Sequence, residues 1–429
     1  MKFFRNLEKI IPSLLVFSAL CSTELNAKNT VITADKMIDV LTGKVIDNPA
    51  IFVGEDGRIT SIADASVVRW GSDVTHINLT GKTILPGMID MHVHLDSPAE
   101  IGGYRGLEYT DSFWAMTAVK AARDMLKAGF TTVRNVGSQN YNDVGLKQAI
   151  EAGYAVGPRI VPAAHALGAT GGHCDETFYP PSFQRKGVAV GDGAQNLRRI
   201  VREQRKYGAE VIKVCATGGV FSRNTEPGQQ QLSEEELRAI ADEAHQWGLK
   251  VAAHAHGASG IKAAIKAGID TIEHASLVDD EGIKLAVQQG TYFGMDIYNT
   301  DYTQSEGKKN GVLEDNLRKD REIGQIQRDN FRKAYKAGVK MIFSSDAAIM
   351  PHGMAGKQFK VMVDYGMPPL EAIRAATRNA AQALGREKDV GAIAVGRYAD
   401  IIAVEGDPLI NIQLLESVSN VVKSGKIIE

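Results

Sequence analysis

From residue 84 onward the chain repeats one grammar: an amphipathic helix, a glycine, then a short apolar or β-branched run. It recurs as "LKAGFTTV", "RKYGAEVIKV", "HQWGLKVAAH", "IKAGIDTIEH", "VQQGTYFGMD" and "YKAGVKMIFSSD". Glycine suits the position just past a helix end, because it takes the left-handed conformation without a Cβ clash and releases the chain into a strand. Six such joints exclude a helical bundle. With "TILPGMIDMHVHL" and "PRIVPAAHAL" there are eight predicted strands, near 84–95, 130–137, 159–167, 210–217, 250–255, 270–275, 291–298 and 339–345. Near-continuous apolar strands alternating with helices indicate a parallel sheet covered on both faces. Eight units predict an α/β fold of the closed (β/α)8 TIM-barrel type over residues 84–390.

The flanks have another character. Residues 28–83 ("TVITADKMIDV", "PAIFVGEDGRITSIAD", "VTHINLTGKTI") are short alternating runs broken by turn residues, and residues 391–429 read the same way. Neither flank has enough strands for its own core, so the two are expected to combine in one small β-sandwich beside the barrel. The charged stretch 301–336 is expected as a long solvated helix, with an oligomer contact or an active-site lid as the other readings.

Residues 1–27 have the make-up of a secretory signal: Lys2, Arg5 and Lys9 precede an apolar stretch from Ile10 to Ser22, and Ala27 ends a possible cleavage site. The apolar run is too short to span a bilayer, so no integral membrane segment is expected in the mature chain. Export to a bacterial periplasm is the expectation. Cys21 leaves with the signal. Cys174 and Cys215 adjoin candidate site residues and are expected as buried free thiols, although an oxidising compartment permits their pairing. A formal net charge of -2 gives no footprint for nucleic acid, which leaves small molecules and further copies of the chain as the expected partners.

Six residues at the ends of the predicted strands carry the chemistry. His92 and His94, two apart, project to one side of the first strand and can share one metal ion. Lys213 in "VIKVCA" is expected to be buried, where an unpaired ammonium is costly and tends to lose its proton. A neutral lysine can add carbon dioxide, and the resulting carbamate has two oxygens able to bridge two cations. His254 and His274 end later strands and read as ligands of a second metal. His256 shares the face of His254 and is expected to support the ligands rather than to join them. Asp346, after the last strand, can bind metal and move a proton to a leaving group. Arg223 in "GGVFSRNTEPGQQQLS" can pair with a substrate carboxylate, and His165, at the end of the third strand, is a further candidate for substrate binding.

The motifs "PGMIDMHVHLD", "VIKV", "HAHG", "IEHAS", "SSDA" and "GAIAVGRYADIIAVEGDPL" together resemble the amidohydrolase superfamily, in its branch of imidazolonepropionase-like and Xaa-Pro dipeptidase-like enzymes, ochratoxinase-type amidases included. The resemblance covers residues 30–429. It implies a barrel with a sandwich and a pair of divalent metals, usually zinc, bridged by carboxylated Lys213 and hydroxide. His92 and His94 would hold the buried metal, His254 and His274 the exposed one, and Asp346 would act as ligand and acid/base. The segment "ALGATGGHCD" resembles the branch's "TGGH", which places His173 near the metals to polarise a substrate carbonyl. Where relatives carry a "PT"-like strand end this chain has "FGMDIYNTDY", so Tyr298 is expected to line a distinct specificity pocket.

The expected activity is hydrolysis of the amide bond to a C-terminal amino acid by the metal-bridging hydroxide, as in a dipeptidase, a carboxypeptidase or an N-acyl amino acid amidase. Cyclic-amide hydrolysis of the imidazolonepropionase kind and lactone or ester hydrolysis remain alternatives. A non-catalytic scaffold is disfavoured because all six positions are kept.

Overall fold

A computed structural model describes residues 29–429, so the signal segment and Cys21 lie outside the described residues. Five strands open the chain: β1 (Thr30–Ile38), β2 (Val45–Asp47), β3 (Pro49–Val53), β4 (Ile59–Asp64) and β5 (Thr75–Pro86). The next eight alternate with helices: β6 (Met88–Val93), β7 (Phe130–Asn135), β8 (Arg159–Pro162), β9 (Val211–Cys215), β10 (Lys250–Gly257), β11 (Thr271–Leu277), β12 (Tyr292–Gly294) and β13 (Lys340–Ile342). The last three are β14 (Ile401–Val404), β15 (Asn420–Lys423) and β16 (Lys426–Ile428).

All six predicted joints hold. Gly129, Gly208, Gly248, Gly268, Gly290 and Gly338 each have positive φ, between 71° and 108°. A side chain there would be strained, which is why glycine stands at the helix-to-strand step. The strands they launch are buried along almost their whole length, as strands covered on both faces must be.

Strands β6, β7 and β8 form one parallel sheet and β9 to β13 another. Isolated parallel bridges join their edges, Val93 to Ala347 on one side and Leu167 to Val214 on the other. Backbone bonds reinforce both seams. Asp346 N donates to His92 O at 2.8 Å, and Leu167 N donates to Lys213 O at 2.8 Å.

The terminal strands share a single eight-stranded sheet in which β14 lies antiparallel to β5, with Ile401 opposite Pro86. The segment "TILP", expected at the start of the first barrel strand, therefore belongs to this terminal sheet, and β6 starts only at Met88. Gly87 marks the break, since a Cβ there would lie 2.2 Å from Thr131 Oγ1. Ile32, Ile51, Ile77, Ile84, Ile401 and Val422 form a buried cluster separate from the main core.

Residues 301–336 are not one solvated helix. After helices α1 (Asp111–Lys127), α2 (Asn142–Glu151), α3 (Ala194–Lys206), α4 (Glu234–Gln246), α5 (Ala258–Lys266) and α6 (Asp280–Gln289), a helix α7 (Asn299–Glu306) and a helix α8 (Glu314–Lys336) take its place. One face of α8 buries Asn316, Lys319, Asp320, Ile323, Gln327 and Phe331. Apart from Lys319 and Asp320, the charges read from the sequence lie largely on its other face, while Gln327 Nε2 donates to His274 O at 3.2 Å and Asp296 Oδ1 at 2.8 Å. Cys174 and Cys215 are not free thiols either: a disulfide joins them, with Cα atoms 5.9 Å apart.

Candidate metal centre

The predicted ligands converge. A cavity of about 330 Å³ is lined by His92, His94, His173, Lys213, His254, His256, His274 and Asp346, with Asp296 and Gln327 behind them. His92 Nε2 lies 3.3 Å and His94 Nε2 3.6 Å from Asp346 Oδ1. The ring of His274 stands 4.9 Å from that of His92 and 4.5 Å from that of His254, linking the two ends of the cluster. Two sets of three donor atoms, all within 4.8 Å of one another, suit a metal ion: His92, His274 and Asp346, and His254, His256 and His274. His256 is thus as well placed as His254, a position the sequence reading gave only a supporting part.

The outer nitrogens of these rings are tied back. His92 Nδ1 meets Glu273 Oε2 at 3.3 Å, His94 Nδ1 meets Gly137 O at 2.9 Å, His274 Nδ1 meets Asp296 Oδ1 at 2.9 Å, and His256 Nδ1 meets Ser276 Oγ at 2.8 Å. A carboxylate, carbonyl or hydroxyl on one nitrogen fixes the ring and leaves the other for a metal. Burial holds His92, His254 and His256 well below the ordinary imidazole pKa, and His94 at about 3, so these rings keep lone pairs at neutral pH. His274 is the exception: burial opposes its charge, but the charge and hydrogen bond of Asp296 together with the charge of Asp346 outweigh burial and raise its pKa. The donor chemistry of this cluster fits divalent metals.

Lys213 lies at the base, with Nζ 3.4 Å from His92 Nε2. Burial pulls its pKa down to about 8, against the opposing charges of Glu273 and Asp346. Burial thus favours the neutral amine more than water does. Burial also raises Asp346 to about 6, with His274 drawing it back and Asp296 adding to the rise.

Backbone strain coincides with the ligands. His274 has φ of 70° and Asp346 φ of 53°, left-handed conformations that cost a non-glycine residue on the order of 1 kcal/mol and persist where the surroundings enforce them. His173 is seated between two surfaces. Its ring stacks on that of His254 at 4.1 Å, its Nδ1 lies 2.8 Å from Ser222 Oγ, and a Cβ on Gly219 would fall 2.4 Å from its Cε1.

Three expected substrate residues are not brought to this cavity. Arg223 is exposed on the outer surface, where its Nη1 donates to Tyr104 OH at 3.3 Å. Among the residues lining the metal cavity, Lys213 is the only lysine or arginine. Tyr298 caps α7 and packs against the main core, because the chain turns into that helix directly after Asp296 and Ile297. His165 is buried against Gln204 and Tyr141, its Nδ1 3.3 Å from Gln204 Oε1. Sequence reasoning missed Asp90, Arg134, Glu273 and Asp296. Glu273 is fully buried and receives bonds from Arg134 Nη2 at 2.5 Å, Thr271 Oγ1 at 2.5 Å and Ser344 Oγ at 3.2 Å. Asp90 accepts from His92 N at 3.1 Å, Ser345 N at 3.1 Å and Ser345 Oγ at 2.5 Å, tying the first ligand strand to the last. Burial raises the Asp90 pKa to about 7.

Residues 83–428 match the amidohydrolase family. The chain belongs to that family. It is therefore a hydrolase acting on amide bonds. Aspergillus niger ochratoxinase is 31% identical over 435 residues, covering 95% of this chain and 88% of that one. The imidazolonepropionase of Rhizobium rhizogenes is 23% identical, covering 85% of this chain and 89% of its own. A crystal structure of a Xaa-Pro dipeptidase with methionine bound in its active site superposes with a TM-score of 0.88 at 35% identity, covering 94% of this amidohydrolase and 100% of that chain. Among the described residues of the amidohydrolase, no helix is long and apolar enough to cross a membrane.

Proposed function

We propose that this amidohydrolase is a binuclear metal enzyme that cleaves the amide bond to a C-terminal amino acid in a dipeptide or an N-acyl amino acid. The observation that carries this reading is the convergence of six histidines, Asp346 and the buried Lys213 on one cavity, with the outer nitrogens of the His92, His94, His256 and His274 rings held. His92, His94 and Asp346 would hold one ion and His254 and His274, joined or replaced in part by His256, the other. A pair of zinc ions bound there would supply Lewis acidity and lower the pKa of water. The neutral fraction of Lys213 adds carbon dioxide through Nζ and releases one proton, which gives a carbamate at the base of the site. Asp346, whose Oδ1 lies beside His92 and His94, takes a proton from water and delivers it to the departing amine, while the hydroxide adds to the carbonyl carbon and the C–N bond breaks. Were Ser222 Oγ to donate to His173 Nδ1 rather than to Gly219 O, His173 Nε2 would carry the ring proton and could donate it to a substrate carbonyl.

The similarity to ochratoxinase and to a Xaa-Pro dipeptidase supports acyl–amino acid substrates. We further read the three-stranded and five-stranded sheets, bridged at both edges, as a closed (β/α)8 barrel, and the terminal sheet with its separate core as a small sandwich domain. The disulfide supports export to an oxidising compartment such as the periplasm.

The test is metal analysis joined to hydrolysis of Xaa-Pro, Xaa-Phe and N-acetyl amino acids, with Asp346→Asn as control. About two ions per chain and a fall of at least 10³-fold in kcat for the variant are expected. A metal-replete protein that hydrolyses none of these amides refutes the proposal.

A further inference from the structure

The Cys174–Cys215 disulfide lies in the wall of the metal cavity, beside residues that the proposed mechanism uses. Cys174 follows His173 directly. Cys215 stands two residues after Lys213 on β9, so both side chains face the cavity. In the pairing of β9 with β10, Cys215 lies opposite His254, the ring on which His173 stacks at 4.1 Å. The bond therefore closes a circuit. It runs from His173 to Cys174 along the chain, across sulfur to Cys215, across the sheet to His254, and by ring contact back to His173.

The loop that carries His173 is held at its base by backbone. Leu167 N donates to Lys213 O and Cys215 N to Leu167 O, each at 2.8 Å, and Gly191 N closes on Gly168 O at 3.0 Å. Nearer the tip, His173 N donates to Gln231 Oε1 at 2.8 Å and the ring meets Ser222 Oγ, both on the connection that follows β9. The disulfide is the covalent tie between this loop and the strand, and the loop is folded around it. A Cβ on Gly168 would come 2.8 Å from Cys174 Cβ, and one on Gly187 2.7 Å from Cys174 O. Asp175 Oδ1 accepts from Gly187 N and Asp175 Oδ2 from Gly171 N, each at 2.8 Å. Cys215 is buried, but Cys174 is half-buried and faces the cavity, within reach of a small thiol.

We infer that Cys174 and Cys215 are positioning residues whose bond is a redox-sensitive lock on His173, so that the enzyme is fast when oxidised and slow when reduced. The inference rests on the amide-hydrolase reading above and adds control of the same site. One thiol of a dithiol attacks Cys174 Sγ and releases Cys215, and its second thiol then frees Cys174. The protein gains two electrons and two protons, which the dithiol loses as it closes into its own disulfide. Metal-loaded protein reduced with dithiothreitol and then freed of it anaerobically is assayed on its best amide substrate, beside metal analysis. Reduction should lower kcat at least about tenfold, with KM within about threefold and metal content unchanged, and reoxidation should restore it. The variant Cys174→Ser with Cys215→Ser should show the low kcat and no response to dithiothreitol. Trypsin gives a readout independent of activity: cutting after the exposed Arg185 and Lys186, which precede Gly187, should quicken about tenfold on reduction with other sites unchanged. A parent-like kcat in the reduced protein, a fall that tracks lost metal, or faster cutting at every site alike overturns the lock and leaves the hydrolase reading intact. If no amide is cleaved in either state, that reading fails by itself and trypsin decides, unchanged cutting after Arg185 and Lys186 overturning the lock.

Discussion

Replacing Glu273 by glutamine tests two roles of one carboxylate. Glu273 is fully buried, holds Arg134 at 2.5 Å and meets His92 Nδ1 at 3.3 Å. Glutamine keeps the shape and removes the charge, which leaves the Arg134 guanidinium uncompensated in a buried site. Breaking a buried pair from one side costs about 3 to 5 kcal/mol. With an unfolding entropy of about 2.1 cal/mol/K per residue, that loss lowers the Tm of the metal-free protein by roughly 3 to 6 °C. The second role is distinct: without the carboxylate on Nδ1, His92 is a weaker and less oriented ligand, and metal affinity falls about 10- to 100-fold. Arg134→Met in the Glu273→Gln background separates the two, because it removes the stranded charge without giving His92 a partner. Chelator competition and thermal melting of the apo-protein are the assays. The double variant should recover at least half of the lost Tm and none of the lost affinity. Parent-like metal affinity in Glu273→Gln would refute the role assigned to the pair, and equal recovery of both quantities would show that stability alone had been measured.

Lys213→Ala should lower bound metal by about one equivalent per chain and abolish most turnover; unchanged metal content and activity would exclude a bridging carbamate. Gly219→Ala drives a Cβ to within 2.4 Å of His173 Cε1. Since the ring is pinned between Ser222 and His254, displacement on the order of 1 Å should cost about 10²-fold in kcat with metal content retained, and a parent-like kcat would show that His173 is not at the reacting carbonyl. Cys174→Ser with Cys215→Ser opens a loop spanning 41 residues, which should destabilise the chain by about 4 kcal/mol in denaturant melts. A midpoint that is indifferent to the two substitutions and to reductant would exclude the disulfide in solution.

The parts of the fold that were legible in the sequence share a cause. The glycine joints declare themselves because the left-handed step they serve admits few other residues, and Gly129 through Gly338 all take it. The candidate ligands stood out in the sequence because histidine, lysine and aspartate are costly inside strands unless chemistry retains them, as with Lys213 and His254. That Arg223, Tyr298 and His165 do not line the metal cavity was not legible, because each lies in or beside a connection whose path no periodicity reports. The burial of α8 was hidden for a related reason: its charged face dominates the composition, while Asn316, Lys319, Asp320 and Gln327 on the packed face are polar too.

Glu273 shows a deeper limit of pattern reading. Adjacent residues in a regular strand point to opposite sides, so a site that takes His274 should not also take Glu273. Both reach His92, one by its carboxylate at 3.3 Å and the other by its ring at 4.9 Å. The positive φ of His274 breaks the alternation at that peptide, and the register between β10 and β11 slips just beyond it. Space for the extra inward carboxylate comes from Gly294 on β12, where a Cβ would stand 2.8 Å from Glu273 Oε2 and 2.1 Å from Ser344 Oγ. Asp346, at φ of 53°, makes a parallel break: Ser345 turns to Asp90 while Asp346 turns to His92 and His94. The strain at these two candidate ligands thus has an identifiable use. It lets one strand end supply both a candidate metal ligand and the group that orients another on a neighbouring strand, and Gly294→Ala should disturb the site without touching any candidate ligand.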